Sequence, residues 1–246
     1  MELTSPTSKG INASTLKMIA IIGMTMDHIG TVFLAQLPSW AQCILFAPGG
    51  LTFPIMAFLL TEGYRHTSDY QKYRNRLLLF ALISFVPFAW AFLPFFNVMF
   101  TLLLGLITIY LYDNMKNRTA FWFAFAGITL LTTFCDWAWA GVPMILCYHT
   151  ISNPRKRLIV PVLIAWGLVG GVSLLRALGN SEFVLMSVLP NLLYAFVGCT
   201  ATNFLLQQYN GEKGNSSKYF FYIYYPVHLV VLSLIRGLMF GIWIPF

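Results

Sequence analysis

The sequence predicts an all-α membrane protein, a polytopic bundle of about nine transmembrane helices. Hydrophobic residues make up 58% of the 246 residues and charged residues only 9%, whereas soluble domains have roughly 25% charged residues. Apolar stretches close to the length of about 20 residues that a helix needs to cross a bilayer recur along the chain. The composition therefore predicts a single integral membrane domain, 15–246, after a polar N-terminal tail, 1–14.

Nine apolar stretches are the predicted spans. The sixth is short, and it could be a tilted or half-length helix that is covered by protein. The spans are 15–37, 43–62, 76–94, 97–113, 118–135, 138–151, 158–178, 183–207 and 218–244.

The positions of Lys and Arg predict the orientation of the bundle. With the N-terminus in the cytoplasm, 13 of the 15 Lys and Arg residues lie on the inner side, and only Arg176 and Arg236 do not. This is the positive-inside pattern of a polytopic membrane protein. The net charge of +7 then reflects topology, so we expect contact with membrane lipid and no nucleic-acid partner. The histidines and cysteines lack ligand spacing, so we expect no metal site.

The first span carries the strongest functional signal. Asp27 and His28 lie side by side near its middle. Ionisable residues are unfavourable at that depth and usually have a role there, although inert hydrogen bonds between helices are an alternative. Lys17 precedes His28 by eleven residues, close to three turns, so both side chains lie on one face about 16 Å apart. We expect Lys17 near the cytoplasmic face and His28 near the midplane.

The end of the second span and the start of the third predict an anion site at the inner face. Ser68 and Gln71 have the spacing of a capping box that starts a helix, and a helix N-terminus beside cations is suited to an anion. The site would be a pocket for a phosphorylated donor, or else a loop that touches lipid head groups. The residues of this set are Glu62, Arg65, His66, Lys72, Tyr73, Arg74 and Arg76.

Other polar groups lie towards the predicted outer side and in the last span. Asn97 and Thr101 are four residues apart on one helix face and could line a pocket. Asp136 lies between two apolar spans and precedes Trp137 and Trp139, which are of the kind that anchor proteins at the membrane interface. It could be a solvated carboxylate or an acceptor contact. Pro226 predicts a kink in the last helix, next to His228 at a depth similar to that of His28.

Several of these stretches resemble a known family. The segments LKMIAIIGMTMDHIG, FPIMAFLLTEGYRHTSDYQKYRNRLLLFALISFVPF, FNVMFTLLLGL, CDWAWAGV and YYPVHL closely resemble, in order, the TraX family of bacterial integral membrane proteins. The resemblance implies an acetyl-CoA-dependent acetyltransferase of the bacterial inner membrane, in a family known for acetylation of a pilin N-terminus. A weaker similarity links Lys17 and His28 to membrane acyltransferases that O-acetylate surface sugars, in which an arginine takes the place of the lysine.

From the residues and the resemblance together, we expect acetyl to pass from cytoplasmic acetyl-CoA to an acceptor amine or hydroxyl at the outer side. The acceptor would be a pilin-like protein or a surface glycan. His28 would be the general base, and Asp27 or His228 would orient it or assist. Lys17 and the basic set at the inner face would bind the donor. The acceptor side would be lined by Asn97, Thr101, Asp136 and Tyr225.

Two other function classes stay open. A proton-coupled transporter would use Asp27, His28 and His228 as a proton relay, although the sequence has no visible inverted repeat. A non-catalytic membrane partner of a secretion or pilus apparatus would leave these ionisable residues without a role. Binding of acetyl-CoA and dependence on a proton gradient would separate the three classes.

Overall fold

The computed structural model describes residues 10–92, 96–179, 185–215 and 219–244, with the backbone alone for 185–187. Within these ranges the chain forms twelve α-helices, and its only extended pairings are two isolated β-bridges. The helices are α1 (Ala13–Val32), α2 (Ser39–Gly49), α3 (Thr52–Arg65), α4 (Tyr70–Ala91), α5 (Val98–Asn114), α6 (Arg118–Leu131), α7 (Gly141–Thr150), α8 (Pro154–Ala165), α9 (Val172–Leu178), α10 (Leu185–Leu192), α11 (Cys199–Gln207) and α12 (Phe220–Phe240).

The described helices group into nine segments, one for each predicted span. Three segments are pairs joined by a short bend or π-helical turn: α2 with α3, α8 with α9, and α10 with α11. These pairs, α4 and α12 are long and apolar enough to cross a membrane, and α5 is a shorter apolar helix. The polytopic helical fold predicted from the sequence is therefore confirmed. The sixth predicted span corresponds to α7, which has only ten residues.

Parts of the sequence predictions lie outside the described residues. These parts are 1–9 of the predicted tail and the span ends at 93–94, 183–184 and 218. The remainder of the tail is joined to the loop after α11, because the amide of Ile11 donates to the carbonyl of Gln208 at 2.7 Å and that of Ser14 to the carbonyl of Lys213 at 3.1 Å. The described end of the tail is thus part of the bundle, and it holds Lys213 beside the start of α1.

Asn and Asp residues set where several helices begin. Asp69, Asn97, Asn117 and Asn153 each accept a hydrogen bond from a backbone amide two or three residues later, which is the usual role of these side chains at an N-cap. The cap of α4 differs from the predicted capping box, because Asp69 occupies the N-cap position and Ser68 lies one residue before it. The helix therefore begins one residue later than that motif indicates.

The second predicted span bends at Pro48–Gly50. Pro48 has no amide hydrogen to continue the helical hydrogen bonds, and α2 ends there. A Cβ atom added to Gly50 would lie 2.0 Å from the carbonyl oxygen of Tyr194, in the π-helical turn Leu193–Gly198. Glycine at the bend thus permits direct backbone contact between two distant parts of the chain. The predicted span 43–62 was a single helix without this bend.

The core lies between α1, α3, α4, α5, α7 and α12, and α2 with α8–α11 packs along one flank. Large apolar side chains on the outside, such as Phe123 at 77% and Leu238 at 76% exposure, are suited to contact with lipid tails. Helices α4 and α12 run parallel, since Arg76 contacts Tyr222 near their starts and Arg236 donates to the carbonyl of Ala91 near their ends. This arrangement places the middle of α12 beside α1 in the interior.

Candidate active site

Two histidines from opposite ends of the chain form the centre of the site. His28 on α1 and His228 on α12 are both buried. Nδ1 of His28 lies 2.7 Å from Nε2 of His228, and Nδ1 of His228 lies 2.9 Å from the carbonyl oxygen of Tyr224. The fold thus joins two predicted site residues that are 200 positions apart in the sequence.

The hydrogen-bond partners determine the tautomer of each ring. A carbonyl oxygen can only accept, so Nδ1 of His228 carries a proton, and Nε2 of the neutral ring is an acceptor. Nδ1 of His28 therefore donates to His228, and Nε2 of the neutral His28 ring carries no proton. No residue in the described ranges donates to this Nε2 atom. The site therefore presents one unprotonated imidazole nitrogen with a second histidine behind it.

Tyr224 and Thr25 hold the histidine pair in place. The Tyr224 ring stacks on His228, with centroids 5.1 Å apart and an interplanar angle of 11°. Its hydroxyl lies 2.7 Å from Oγ1 of Thr25, and because Thr25 donates its own proton to the carbonyl of Ile21, Tyr224 is the donor. Neither residue is among the predicted site residues, since their contact depends on the register between α1 and α12.

Asp27 lies beside the pair without orienting it. Its side chain packs against Gly49, where an added Cβ would lie 2.6 Å from the Asp27 Cβ. Within the described part of the chain, its carboxylate has neither a hydrogen bond nor an ion pair. It is close enough to Asp136 for the two carboxylates to interact electrostatically. Of the two candidates for orienting His28, the structure therefore favours His228.

Asp136 lies in a strained loop between α6 and α7. Its carbonyl accepts a hydrogen bond from Thr101, and its Oδ1 accepts from the amide of Trp137 at 2.9 Å. Trp137 and Trp139 have φ angles of 59° and 56°, a left-handed conformation that costs a bulky residue about 1–3 kcal/mol. Trp137 stacks on Phe53 inside the protein, with centroids 4.4 Å apart, so it is not the interfacial anchor that the sequence suggested.

The other residues predicted to line the acceptor side differ in whether their polar groups already have partners in the protein. Asn97 is fully engaged, because its Oδ1 accepts from the amide of Met99 and its Nδ2 donates to the carbonyl of Ala81. Asn97 thus joins the start of α5 to α4, while Thr101 holds the loop that contains Asp136. Asp136 remains partly accessible, and burial raises the pKa of its carboxyl to about 6, so it is largely ionised at neutral pH. Tyr225 is buried beside His28, with ring centroids 6.2 Å apart.

At the other end of α1 and α12 lies a group of three cations, Lys17, Arg76 and Lys213, which we call the inner basic cluster. Lys17 is close enough to both Arg76 and Lys213 for its charge to be repelled by theirs. Nζ of Lys17 lies 5.2 Å from the centre of the Phe221 ring, and Nε of Arg76 donates to the Tyr222 hydroxyl at 3.3 Å. No carboxylate of the described residues lies within ion-pair distance of these cations. Such a cluster is suited to a phosphate-bearing ligand.

Tyr73 belongs with this cluster, because the guanidinium of Arg76 lies 5.1 Å from the centre of its ring. Three of the residues predicted to bind the donor are therefore brought together: Lys17, Tyr73 and Arg76. Lys213 was missed as a site residue, since it lies in a loop that is distant in sequence and becomes a neighbour only through its backbone contact with the start of α1.

Glu62 and Arg65, also predicted to bind the donor, form a separate set with Arg157, which we call the Glu62 network. Oε1 of Glu62 accepts from Arg157 at 2.6 Å and from Arg65 at 3.0 Å. Arg157 also donates to the carbonyl of Tyr148 at 2.6 Å, and Arg65 to that of His149 at 2.9 Å. These cations have protein partners, and they join α3 to α7 and α8.

The remaining predicted donor residues lie at the start of α4 and the end of α3. Nδ1 of His66 donates to the carbonyl of Glu62 at 2.8 Å, as expected at a helix C-terminus. Lys72 forms an exposed ion pair with Asp69 at 3.1 Å. Arg74 lines an open groove of about 470 Å³ beside the start of α4. None of these three residues contacts the inner basic cluster in the described structure, so they lie outside the site built on α1 and α12.

Comparison with known proteins assigns the family. A family model described as "TraX protein" matches residues 12–236, a range that includes every site residue above. A protein of Dichelobacter nodosus, described as "Probable fimbrial assembly protein FimC, serogroup H1", is 32% identical over 245 residues, which cover 90% of this chain and 94% of that protein. No solved structure gives a significant match. The chain, whose sequence already resembled that family, belongs to the TraX family.

Proposed function

We propose that this protein is an acetyltransferase of the bacterial inner membrane that moves acetyl from cytoplasmic acetyl-CoA to an acceptor at the outer side. The observation that carries the proposal is the unprotonated Nε2 of His28, which is oriented by His228 and the carbonyl of Tyr224. An oriented neutral imidazole in a buried site is the group most often used as a general base.

The inner basic cluster is the proposed binding site for the phosphates of the donor. Its three cations lie at one end of α1 and α12 without a carboxylate partner among the described residues, so a bound phosphate would relieve their mutual repulsion. Lys17 lies about 16 Å along α1 from His28. The bound donor would supply an activated acetyl carbonyl at the level of the histidine pair.

The histidine pair would remove the proton from the acceptor. As the nitrogen or oxygen of the acceptor attacks the thioester carbonyl, Nε2 of His28 accepts its proton. The C–S bond then breaks, and the CoA thiolate that leaves takes this proton back from His28. While it holds the proton, the ring is an imidazolium. Its Nδ1–H then donates to His228 as a charge-assisted hydrogen bond, which is stronger than the neutral one. His228 in turn donates to the Tyr224 carbonyl, so both rings stay in one orientation throughout.

The outer carboxylates support an acceptor that carries positive charge. Asp27 and Asp136 are both partly accessible, and neither has an ion-pair partner among the described residues. The Asp136 carboxylate, which is unpaired in the described part of the structure, would attract an amine such as a protein N-terminus. The relative described as a probable fimbrial assembly protein agrees with a pilin-like acceptor, and a surface glycan is the alternative.

The contacts of the histidine pair argue against a proton-coupled transporter. A relay must pass protons onward at both ends, but this chain of hydrogen bonds ends at a backbone carbonyl that only accepts. Asp27, the third member of the predicted relay, makes no hydrogen bond to either ring in the described structure. The pair therefore fits a fixed base better than a proton path.

Transfer of radiolabelled acetyl tests the proposal. The purified protein in liposomes is supplied with labelled acetyl-CoA on one side and with pilin of the same bacterium, or its surface glycan, on the other. We expect His28→Ala to lower the transfer rate by about 10²–10⁴-fold while the affinity for CoA stays within threefold.

His149→Ala is the matched control, because it removes a histidine that pairs with Asp113 away from the site. Its rate per folded molecule should match that of the unaltered protein. Transfer by His28→Ala at a near-native rate would contradict the role of His28, and transfer that requires a proton gradient but no CoA would favour transport.

A further inference from the structure

A small cavity of about 50 Å³ lies between α1, α3, α5 and α12. Its lining is apolar apart from Thr52 and Tyr225, and the hydroxyl of Thr52 already donates to the carbonyl of Ala20 at 3.0 Å. Three methionines from three different helices form much of the wall: Met24, Met56 and Met99. The cavity is therefore suited to a short apolar group.

The cavity occupies the space between the inner basic cluster and the histidine pair. On α1 its wall runs from Ala20 to Met24, so it begins about 4.5 Å along the axis from Lys17 and ends about 6 Å before His28. On α12 the wall includes Phe221, which contacts Lys17, and Tyr225, which lies beside both histidines. An extended ligand that reaches from the cluster to His28 would therefore lie against this cavity.

The wall contains one polar group that lacks an acceptor. Tyr225 is 5% exposed, and its hydroxyl proton has no acceptor among the described residues, although the hydroxyl oxygen lies near the amide of Val98. A buried hydroxyl without a partner is unfavourable by an amount comparable to a lost hydrogen bond. A ligand with a carbonyl oxygen in the cavity would satisfy it.

We propose that this cavity is the binding site for the acyl end of the donor thioester, in which Tyr225 donates a hydrogen bond to the thioester carbonyl and Met24, Met56 and Met99 limit the length of the acyl chain. This inference rests on the proposed function, and it adds a site that selects acetyl over longer acyl groups. A cavity of about 50 Å³ is suited to a methyl or ethyl group next to the carbonyl, and a longer acyl group would have to displace the methionine side chains.

Binding of CoA, acetyl-CoA and butyryl-CoA to the purified full-length protein in detergent tests the site by calorimetry. We expect the unaltered protein to bind butyryl-CoA at least about tenfold more weakly than acetyl-CoA, since a misfit of one or two methylenes in an apolar pocket has roughly this effect. Met99→Ala removes three heavy atoms from the wall, and it should bring the two affinities to within threefold. Because the result is a ratio from one preparation, the folded fraction does not affect it.

Met144→Ala is the matched control, because Met144 is fully buried on α7 and does not line the cavity. It should keep the ratio of the unaltered protein. Tyr225→Phe preserves the shape of the cavity, and it should lower the preference for acetyl-CoA over CoA by about two- to tenfold, the usual effect of one hydrogen bond, with CoA affinity unchanged.

The outcomes separate the two proposals. If CoA and acetyl-CoA bind but neither Met99→Ala nor Tyr225→Phe alters these ratios, the acyl site is wrong and the proposed acetyltransferase remains. If none of the three ligands binds to folded protein, both proposals fail.

Discussion

The Glu62 network and the inner basic cluster contain similar residues at the predicted inner face, but their surroundings differ. In the network, one carboxylate lies 2.6 Å from Arg157 and 3.0 Å from Arg65. In the cluster, Lys17 and Arg76 contact aromatic rings and Lys17 is close enough to Arg76 and Lys213 to be repelled by both, with no carboxylate at ion-pair distance in the described residues. The difference indicates that the network joins helices, while the cluster retains charge for a ligand.

The largest effect should come from breaking the network. Glu62→Gln leaves Arg65 and Arg157 without their shared counter-charge, and removing one partner of a mostly buried pair typically destabilises a protein by about 3 kcal/mol or more. We expect a clear fall in the apparent Tm of the purified protein in detergent. Asp69→Asn is the control, since it alters an exposed pair and keeps an N-cap side chain. An unchanged Tm for Glu62→Gln would show that the network does not hold the helices.

Removing Arg76 from the cluster should have the opposite effects, weaker ligand binding without a loss of stability. Arg76→Ala should weaken acetyl-CoA binding by about 10–100-fold, because a hydrogen bond to a charged group contributes about 1.5–3 kcal/mol. Its apparent Tm should stay the same or rise, since one repelling charge is gone. Arg155→Ala removes the same charge from an exposed position in the first turn of α8, and it should bind acetyl-CoA like the unaltered protein. Calorimetry measures the affinities, and equal losses in both variants would indicate non-specific attraction.

A smaller effect is expected at Lys213, which completes the cluster from a loop. Lys213→Gln should weaken acetyl-CoA binding by about fivefold, corresponding to about 1 kcal/mol for one cation near a phosphate. The binding should also become less sensitive to salt, because screening acts on the charge that was removed. Titrations at low and high sodium chloride would measure both changes. A salt dependence identical to that of the unaltered protein would place Lys213 outside the donor site.

The fold could be predicted from the sequence more fully than the site. Each predicted span has a helical counterpart, because the need for about 20 apolar residues per crossing is a local property of the chain. The predicted spans did not include the bend at Pro48–Gly50, although proline and glycine are both residues that interrupt helices. Its reason is the contact with the turn Leu193–Gly198, which no local pattern reveals.

Among the candidate site residues, the intramembrane histidines could be recognised because an ionisable group in an apolar span is unusual in itself. Their partners could not be recognised in the same way. Asp27 is adjacent to His28 in sequence yet makes no hydrogen bond to it in the described structure. Tyr224, which is 196 positions from His28, accepts a hydrogen bond from His228 and stacks on its ring. Adjacent residues on a helix point about 100° apart, so sequence proximity is a poor guide to which group orients a histidine.

Hydropathy and charge act residue by residue, so they are enough to predict a polytopic helical membrane protein with ionisable residues inside its spans. The hydrogen bond from His28 to His228, the grouping of Lys213 with Lys17 and Arg76, and the pairing of Arg65 with Glu62 exist only in the folded bundle. These outcomes depend on the register between helices far apart in the chain. Register is set by the packing of all the intervening segments together, so no single stretch of sequence contains it.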